Sequence, residues 1–173
     1  MTAQIANGGY KIKPKILVND KPLSLEEAKK SLKFEFLHTP NLKLFKDPKN
    51  IKIVQEAMFS STNEIYGTSY KSRIDDPKYQ FAGKTGTSQV KRISKREREL
   101  DLELDQIPYN DRDHALYVAY GPYINPRYAL SIIVEHGGSG SKTAAPMAKK
   151  LFKLIIDRDE IRKKQSNFED RNI

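Results

Sequence analysis

The period of apolar positions changes at Tyr79. Upstream of it, hydrophobic residues recur at helical spacing between polar connections. Downstream they come in short runs bounded by glycine and proline. YQFAGKTGTSQV (79–90) reads as a strand holding two glycines, HALYVAYG (114–121) as a second strand, and RYALSIIVEH (127–136) as a third. A turn over Pro122–Pro126 joins the last two, the strongest hairpin signal in the chain. Gly137-Gly138-Ser139-Gly140 leads out into a final helix that begins near Ser141 or Thr143, with Pro146 in its first turn. Ala144, Ala148, Leu151 and Ile155, with Met147, Phe152 and Leu154 beside them, predict one broad apolar stripe. The polar residues 162–173 read as a frayed tail.

Upstream, residues 1–9 resemble the last turns of a helix stopped by Asn7-Gly8-Gly9, and the lack of a cap in front of it suggests that its beginning lies elsewhere. Tyr10–Val18 alternates around Pro14, which limits it to an edge strand or extended segment. Asn19–Pro22 is a turn, Ser24–Lys33 a short capped helix, and Phe34–Asp47 irregular around Pro40. Residues 48–63 restart a helix on Pro48, with Ile51, Val54 and Met58 as its stripe. Gly67-Thr68-Ser69 closes that unit, and 71–78 is a polar connection. The order is helices and loops, three consecutive antiparallel strands, then an amphipathic helix able to cover one sheet face. That is an α+β fold, best defined over 79–161, with a polar insertion over 91–113.

The 173 residues carry 31 Lys and Arg against 22 Asp and Glu, a net charge of +9. The excess invites nucleic acid as a partner, but its distribution argues against one. Lys11, Lys13 and Lys15, the cluster from Lys91 to Arg98, and the helix residues Lys149, Lys150 and Lys153 are scattered and partly interleaved with Glu. Cysteine is absent, which excludes disulfides and thiolate chemistry. His38, His114 and His136 have no metal-ligand spacing, and no cofactor is implied. No apolar run is long enough to span a bilayer, and no export signal opens the chain; made alone, it is expected in the cytoplasm, without inserting in a membrane.

The chemistry concentrates in FAGKTGTSQV. Lys-Thr-Gly on a strand is one of three signatures of active-serine penicillin-recognising enzymes, beside Ser-x-x-Lys and an Ser-x-Asn element. Here the motif strand is followed by two more strands and a helix, the required order. With TAQIANGG, EAMFSSTNEIYGTSY, RISKRERE and DHALYVAYGPYINPRYALSIIVEHGGSGSKTAAPMAKKLF, the chain resembles the C-terminal part of the transpeptidase domain of class B penicillin-binding proteins, of the elongation-type penicillin-binding protein 2 group. The resemblance implies part of a penicillin-binding and β-lactamase-like fold, without its first sheet strands and without the helical region bearing the nucleophile. It implies peptidoglycan stem peptide and β-lactams as partners of the complete enzyme. It also implies a parent anchored in the inner membrane and facing the periplasm.

The same resemblance assigns the site to Lys84, Thr85, Gly86, Thr87 and Ser88, with Lys84 and Thr87 as catalytic residues. The motif strand would lie at a sheet edge and pair with an extended peptide through main-chain hydrogen bonds. Gly86 would let the substrate backbone approach closely. Lys84 would place an ammonium at the cleft floor. The Thr85 and Thr87 hydroxyls would meet the substrate, and the Thr87 N–H would be one of two oxyanion donors. The insertion would border the cleft.

The departure from the pattern lies in the nucleophile. Ser69 is followed three positions on by Ser72; Ser88 has Lys91, on the motif strand itself; Ser139 has Lys142, in a glycine-rich turn. The chain alone is therefore expected not to acylate. A missing N-terminal half as partner is one reading; a non-catalytic interaction module or remnant of a split gene is another. A class A β-lactamase is disfavoured by the length of the insertion between Val90 and His114. His114 and His136 are expected as loop-to-strand anchors. Tyr117, Tyr120, Tyr123 and Tyr128 are expected as cross-strand pairs, and Arg92–Glu99 as a solvated charge run. The outer edge of the third strand is expected to be open, an aggregation hazard.

Overall fold

The computed structural model describes residues 1–10, 47–92 and 102–169. It holds helices α1 (Thr2–Ala6), α2 (Pro48–Asn63) and α3 (Ala145–Glu169) and strands β1 (Ala82–Ser88), β2 (His114–Gly121) and β3 (Tyr128–Val134). The extended segment after Tyr10, the turn at Asn19–Pro22, the helix Ser24–Lys33, the irregular stretch to residue 46 with His38, and most of the Arg92–Glu99 charge run lie outside the described residues.

The strands form one antiparallel sheet in the order β1-β2-β3, as the sequence pattern predicts. Registers are unbroken: Lys84 faces Val118 and Gly86 faces Leu116, while Tyr117 faces Ile132 on the other side. Side chains alternate between faces, so β2 feeds two cores. Ala115, Tyr117 and Ala119 join Phe81, Ala148, Phe152 and Ile156 beneath α3. Tyr120 joins Met58 and Ala82 on the face shared with α1 and α2. Phe81 and Phe152 stack at 4.8 Å, which locks α3 to the start of β1.

The helices are phased differently from the predicted stripes. Along α3 and the residue before it the buried line is Ala144, Ala145, Ala148, Phe152 and Ile156, whereas Met147, Leu151 and Leu154 are exposed. The stripe was broad enough to fit either phase. Small residues at 144, 145 and 148 select this one, because they let the helix approach the sheet closely. The helix is preceded by a wide turn, Gly140–Ala144, that seats on the sheet: a Cβ on Gly140 would lie 2.5 Å from the Leu116 carbonyl oxygen and 2.6 Å from that of Gly86. Its backbone then runs on to Glu169, into the stretch expected to fray. In α2 the buried positions are Ile51, Met58 and Thr62, and Val54 is exposed. Asp47 caps α2 by accepting the Lys49 N–H at 2.8 Å.

The segment 71–78 is not wholly polar surface, since Ser72 and Ile74 are buried. The four tyrosines are not cross-strand partners. Tyr120 faces Ala129, Tyr128 faces Gly121, and Tyr117 and Tyr120 point into opposite cores. The histidines do anchor loop to strand: His114 Nδ1 accepts the His136 N–H at 2.9 Å, and His136 holds a left-handed φ of 54°. Among the described residues β3 pairs with β2, and Ile133 is 63% exposed.

Candidate active site

β1 is the other edge strand, and its outer side is divided in two. Over its first half, α2 runs alongside. Asn63 Nδ2 donates to the Phe81 carbonyl at 3.0 Å, and the Thr62 hydroxyl donates to that of Gly83 at 3.5 Å. Main-chain groups of alternate residues point to the same side of a strand. With 81 and 83 directed outward, 85 and 87 are directed outward too. Among the described residues the α2 side-chain hydrogen bonds to β1 reach Phe81 and Gly83, and the motif lies just beyond them.

Lys84 is exposed on the face shared with Ala82 and Tyr120. Its ammonium folds over the edge, donating to the Thr85 carbonyl and to the Thr85 hydroxyl, each at 3.0 Å. Thr85 and Gly86 are half-buried; Thr87 and Ser88 are exposed. The five predicted residues are thus consecutive on one edge, which presents an ammonium, hydroxyls and main-chain groups, with the Thr85 carbonyl accepting from Lys84. Gly86 sits against Leu116, whose Cβ would be 3.3 Å from any Cβ added there.

At the far end of β1 a groove of about 720 Å³ opens beside Thr87. Leu102, Leu104, Ile107 and Pro108 of the insertion form its apolar wall. The insertion therefore borders the end of the motif strand, as the resemblance implies. It is tied there by Lys91–Asp111, at 2.9 Å, and by Asp113, which accepts the Val90 N–H at 3.2 Å. Ser139 and Lys142 also line the groove. Contrary to the sequence reading, they lie at the start of a helical turn. The Ser139 hydroxyl nevertheless pairs with that of Ser141 at 3.0 Å, and no hydrogen bond joins it to the Lys142 amine. It lacks the base an activated serine requires.

Sequence reasoning missed what stands behind the motif. The Tyr117 side chain crosses beneath Gly83, where a Cβ would lie 2.3 Å from its hydroxyl. That hydroxyl meets Thr62 at 2.9 Å and Ser69 at 3.1 Å, and Ser69 donates to the Ser61 carbonyl at 3.0 Å. All three residues are buried. Burial raises the Tyr117 pKa above its ordinary 10.0, so the phenol is neutral. The signal in the sequence was the glycine of Gly67-Thr68-Ser69, read as closing the helical unit before it. Among the described residues no group of acidic, histidine or cysteine side chains could hold a metal ion.

This edge strand, its motif and the helix behind it define a class. A family model described as the penicillin binding protein transpeptidase domain matches residues 1–153, and the chain belongs to that family. Among individual proteins, it is similar to the peptidoglycan D,D-transpeptidase MrdA of Salmonella typhimurium, 35% identical over 155 residues, covering 88% of this chain and 23% of that protein. It is similar also to MrdA of Haemophilus influenzae, 29% identical, covering 90% and 22%. Among solved structures it is similar to Pseudomonas aeruginosa PBP2 in complex with WCK 5153 (30% identity, TM-score 0.55, 86% of this chain and 26% of that one). A second is Helicobacter pylori PBP2 in its complex with MreC (28%, TM-score 0.57, 88% and 23%). The chain thus spans about a quarter of the length of these relatives. The family resemblance read from the motif and the expected partial transpeptidase fold are both borne out.

Proposed function

We propose that these 173 residues form the substrate-binding wall of a peptidoglycan D,D-transpeptidase of the penicillin-binding protein 2 type, with the serine nucleophile contributed by residues outside them. The observation that supports this reading is the outer edge of β1, where the Lys84 ammonium lies over Thr85 and where Thr87 and Ser88 are exposed. An extended stem peptide would add to it as a further strand, pairing with the outward main-chain groups of Thr85 and Thr87. Gly86 keeps that approach free of side chain. The Thr87 N–H would be one donor to the oxyanion formed when the serine attacks the D-Ala-D-Ala carbonyl. Losing such a donor costs about 100–1,000-fold in rate. The Thr87 hydroxyl would meet the carboxylate of stem peptide or β-lactam, and Ser88 would border the same subsite. Lys84 would add positive charge where negative charge develops.

The parent enzyme would be anchored in the inner membrane, facing the periplasm and acting in cell-wall elongation and cell shape. No helix among the described residues is long and apolar enough to cross a membrane. One relative is solved with MreC, and a scaffold of that kind is a proposed partner. The test is covalent labelling by fluorescent penicillin. The chain alone stays unlabelled, and co-expression with the serine-bearing upstream half produces labelling that Lys84→Ala abolishes. Labelling of the isolated chain would overturn the division of the site. A stable complex of the two halves that never labels would favour the non-catalytic alternative.

A further inference from the structure

Thr68 lies outside the motif, yet it is the residue through which the rest of the fold reaches the motif's polar side chains. Its hydroxyl is 3.3 Å from that of Thr85 and 3.2 Å from that of Ser61. Thr85 in turn accepts from Lys84 at 3.0 Å. The result is a hydroxyl chain running from the Lys84 ammonium through Thr85 and Thr68 to Ser61 on α2. An ammonium can only donate. Because Thr85 accepts from it, the Thr85 proton is free to point at Thr68, and each bond polarises the next.

Thr68 itself is exposed, and an exposed threonine normally samples several rotamers. Here both neighbours are fixed. Gly67 presses onto α2 so closely that a Cβ would lie 2.4 Å from the Ser61 carbonyl oxygen and 2.5 Å from that of Ser60. Ser69 is buried, bonded to the Ser61 carbonyl and to the Tyr117 hydroxyl. The backbone of Thr68 is held on either side, and its hydroxyl can serve as a fixed reference for Thr85.

We infer that Thr68 is a positioning residue for the site. Seated by Gly67 and Ser69, it orients the Thr85 hydroxyl and through it holds the Lys84 ammonium against the edge of β1. The inference deepens the transpeptidase reading and rests on it for its functional meaning, but the geometry can be tested without that reading.

The primary experiment uses the full chain. Lys84 acetylation is followed by mass spectrometry in wild type, Thr68→Val and Thr68→Ser, with Lys150 as internal reference. Without its bond to Thr68 the Thr85 hydroxyl can rotate away from the ammonium, and the loss of that orientation should speed Lys84 modification about fivefold in Thr68→Val. Thr68→Ser, which keeps the hydroxyl, should match wild type, and Lys150 should be unchanged in all three. Equal Lys84 rates in Thr68→Val and wild type would overturn the inference. So would a rise shared by Lys84 and Lys150, which marks general loosening. A second arm measures penicillin acylation in the complex with the serine-bearing half. There Thr68→Val should lower the acylation rate constant about fivefold with little change in half-saturating penicillin, and Thr68→Ser should restore it. A wild-type complex that fails to acylate refutes the transpeptidase reading while the Lys84 measurement still decides the role of Thr68.

Discussion

The hydroxyls of Tyr117 and Thr62 meet at 2.9 Å across 55 residues of sequence. That contact joins the middle strand to α2 underneath the first residues of the motif strand, where Gly83 has no side chain to block it. The outer edge of β1 is therefore positioned from inside the protein, by polar groups that no water reaches.

Tyr117→Phe removes that hydroxyl alone. Thr62 retains weak bonds to the Met58 and Gly83 carbonyls, at 3.4 and 3.5 Å, and Ser69 keeps the Ser61 carbonyl. Because a buried polar group loses a partner, urea denaturation should show a loss of about 1–3 kcal/mol. An unchanged midpoint would mean that the hydroxyl cluster carries no stability.

The pH dependence of stability draws on four groups; Tyr120, raised by burial, adds to the alkaline limb with the two that follow. Tyr117 is raised above 10.0 by burial, and Lys78 is raised above 10.5, chiefly by its hydrogen bond to Glu160. A raised folded pKa gives stability that is complete below the unfolded value and lost as pH climbs past it. Thermal midpoints should therefore fall above about pH 10, and Tyr117→Phe should flatten that decline. Asp157 is lowered from 3.8, first by the hydrogen bond from Tyr79. Its contribution is present above pH 3.8 and disappears as acid protonates it. Asp157→Asn should flatten the acid limb alone. A melting profile that is flat at both extremes would contradict these assignments.

The outer edge of β3, without a partner strand among the described residues, predicts self-association. Ile133 is 63% exposed beside main-chain groups that have no partner among the described residues. Ile133→Lys should raise the soluble, monomeric fraction in size-exclusion chromatography, since a charge on an edge strand opposes edge-to-edge pairing. A monomeric, cooperatively melting wild-type chain would show that the edge is already protected.

The elements were legible where the local code was unambiguous. The hairpin declared itself through alternation around Pro122–Pro126, and α2 through Pro48 and a stripe beginning at Ile51. The motif was legible for a different reason: its chemistry needs particular residues in consecutive positions. Helix phase was not legible, because the stripe from Ala144 to Ile155 is apolar on more than one side. Only packing against Phe81 and the narrow space over Gly86 decides that Phe152 and Ile156 turn inward. The support behind the motif was also hidden. Thr62, Ser69 and Tyr117 are spread over the chain as ordinary polar residues, and nothing in their spacing reveals that folding buries them together. Thr68 was visible only as part of the Gly67-Thr68-Ser69 close of the helical unit before it.

The middle of α3 is moored to the approaches to the motif strand and to β3. Lys78 pairs with Glu160 at 2.9 Å, Tyr79 donates to Asp157, and Arg127 pairs with Asp159, while Ile156 is buried beneath the sheet. The family match stops at residue 153. An expression boundary drawn at that limit would cut away every one of these moorings and leave Phe81, two residues upstream of Gly83, covered by a helix stump.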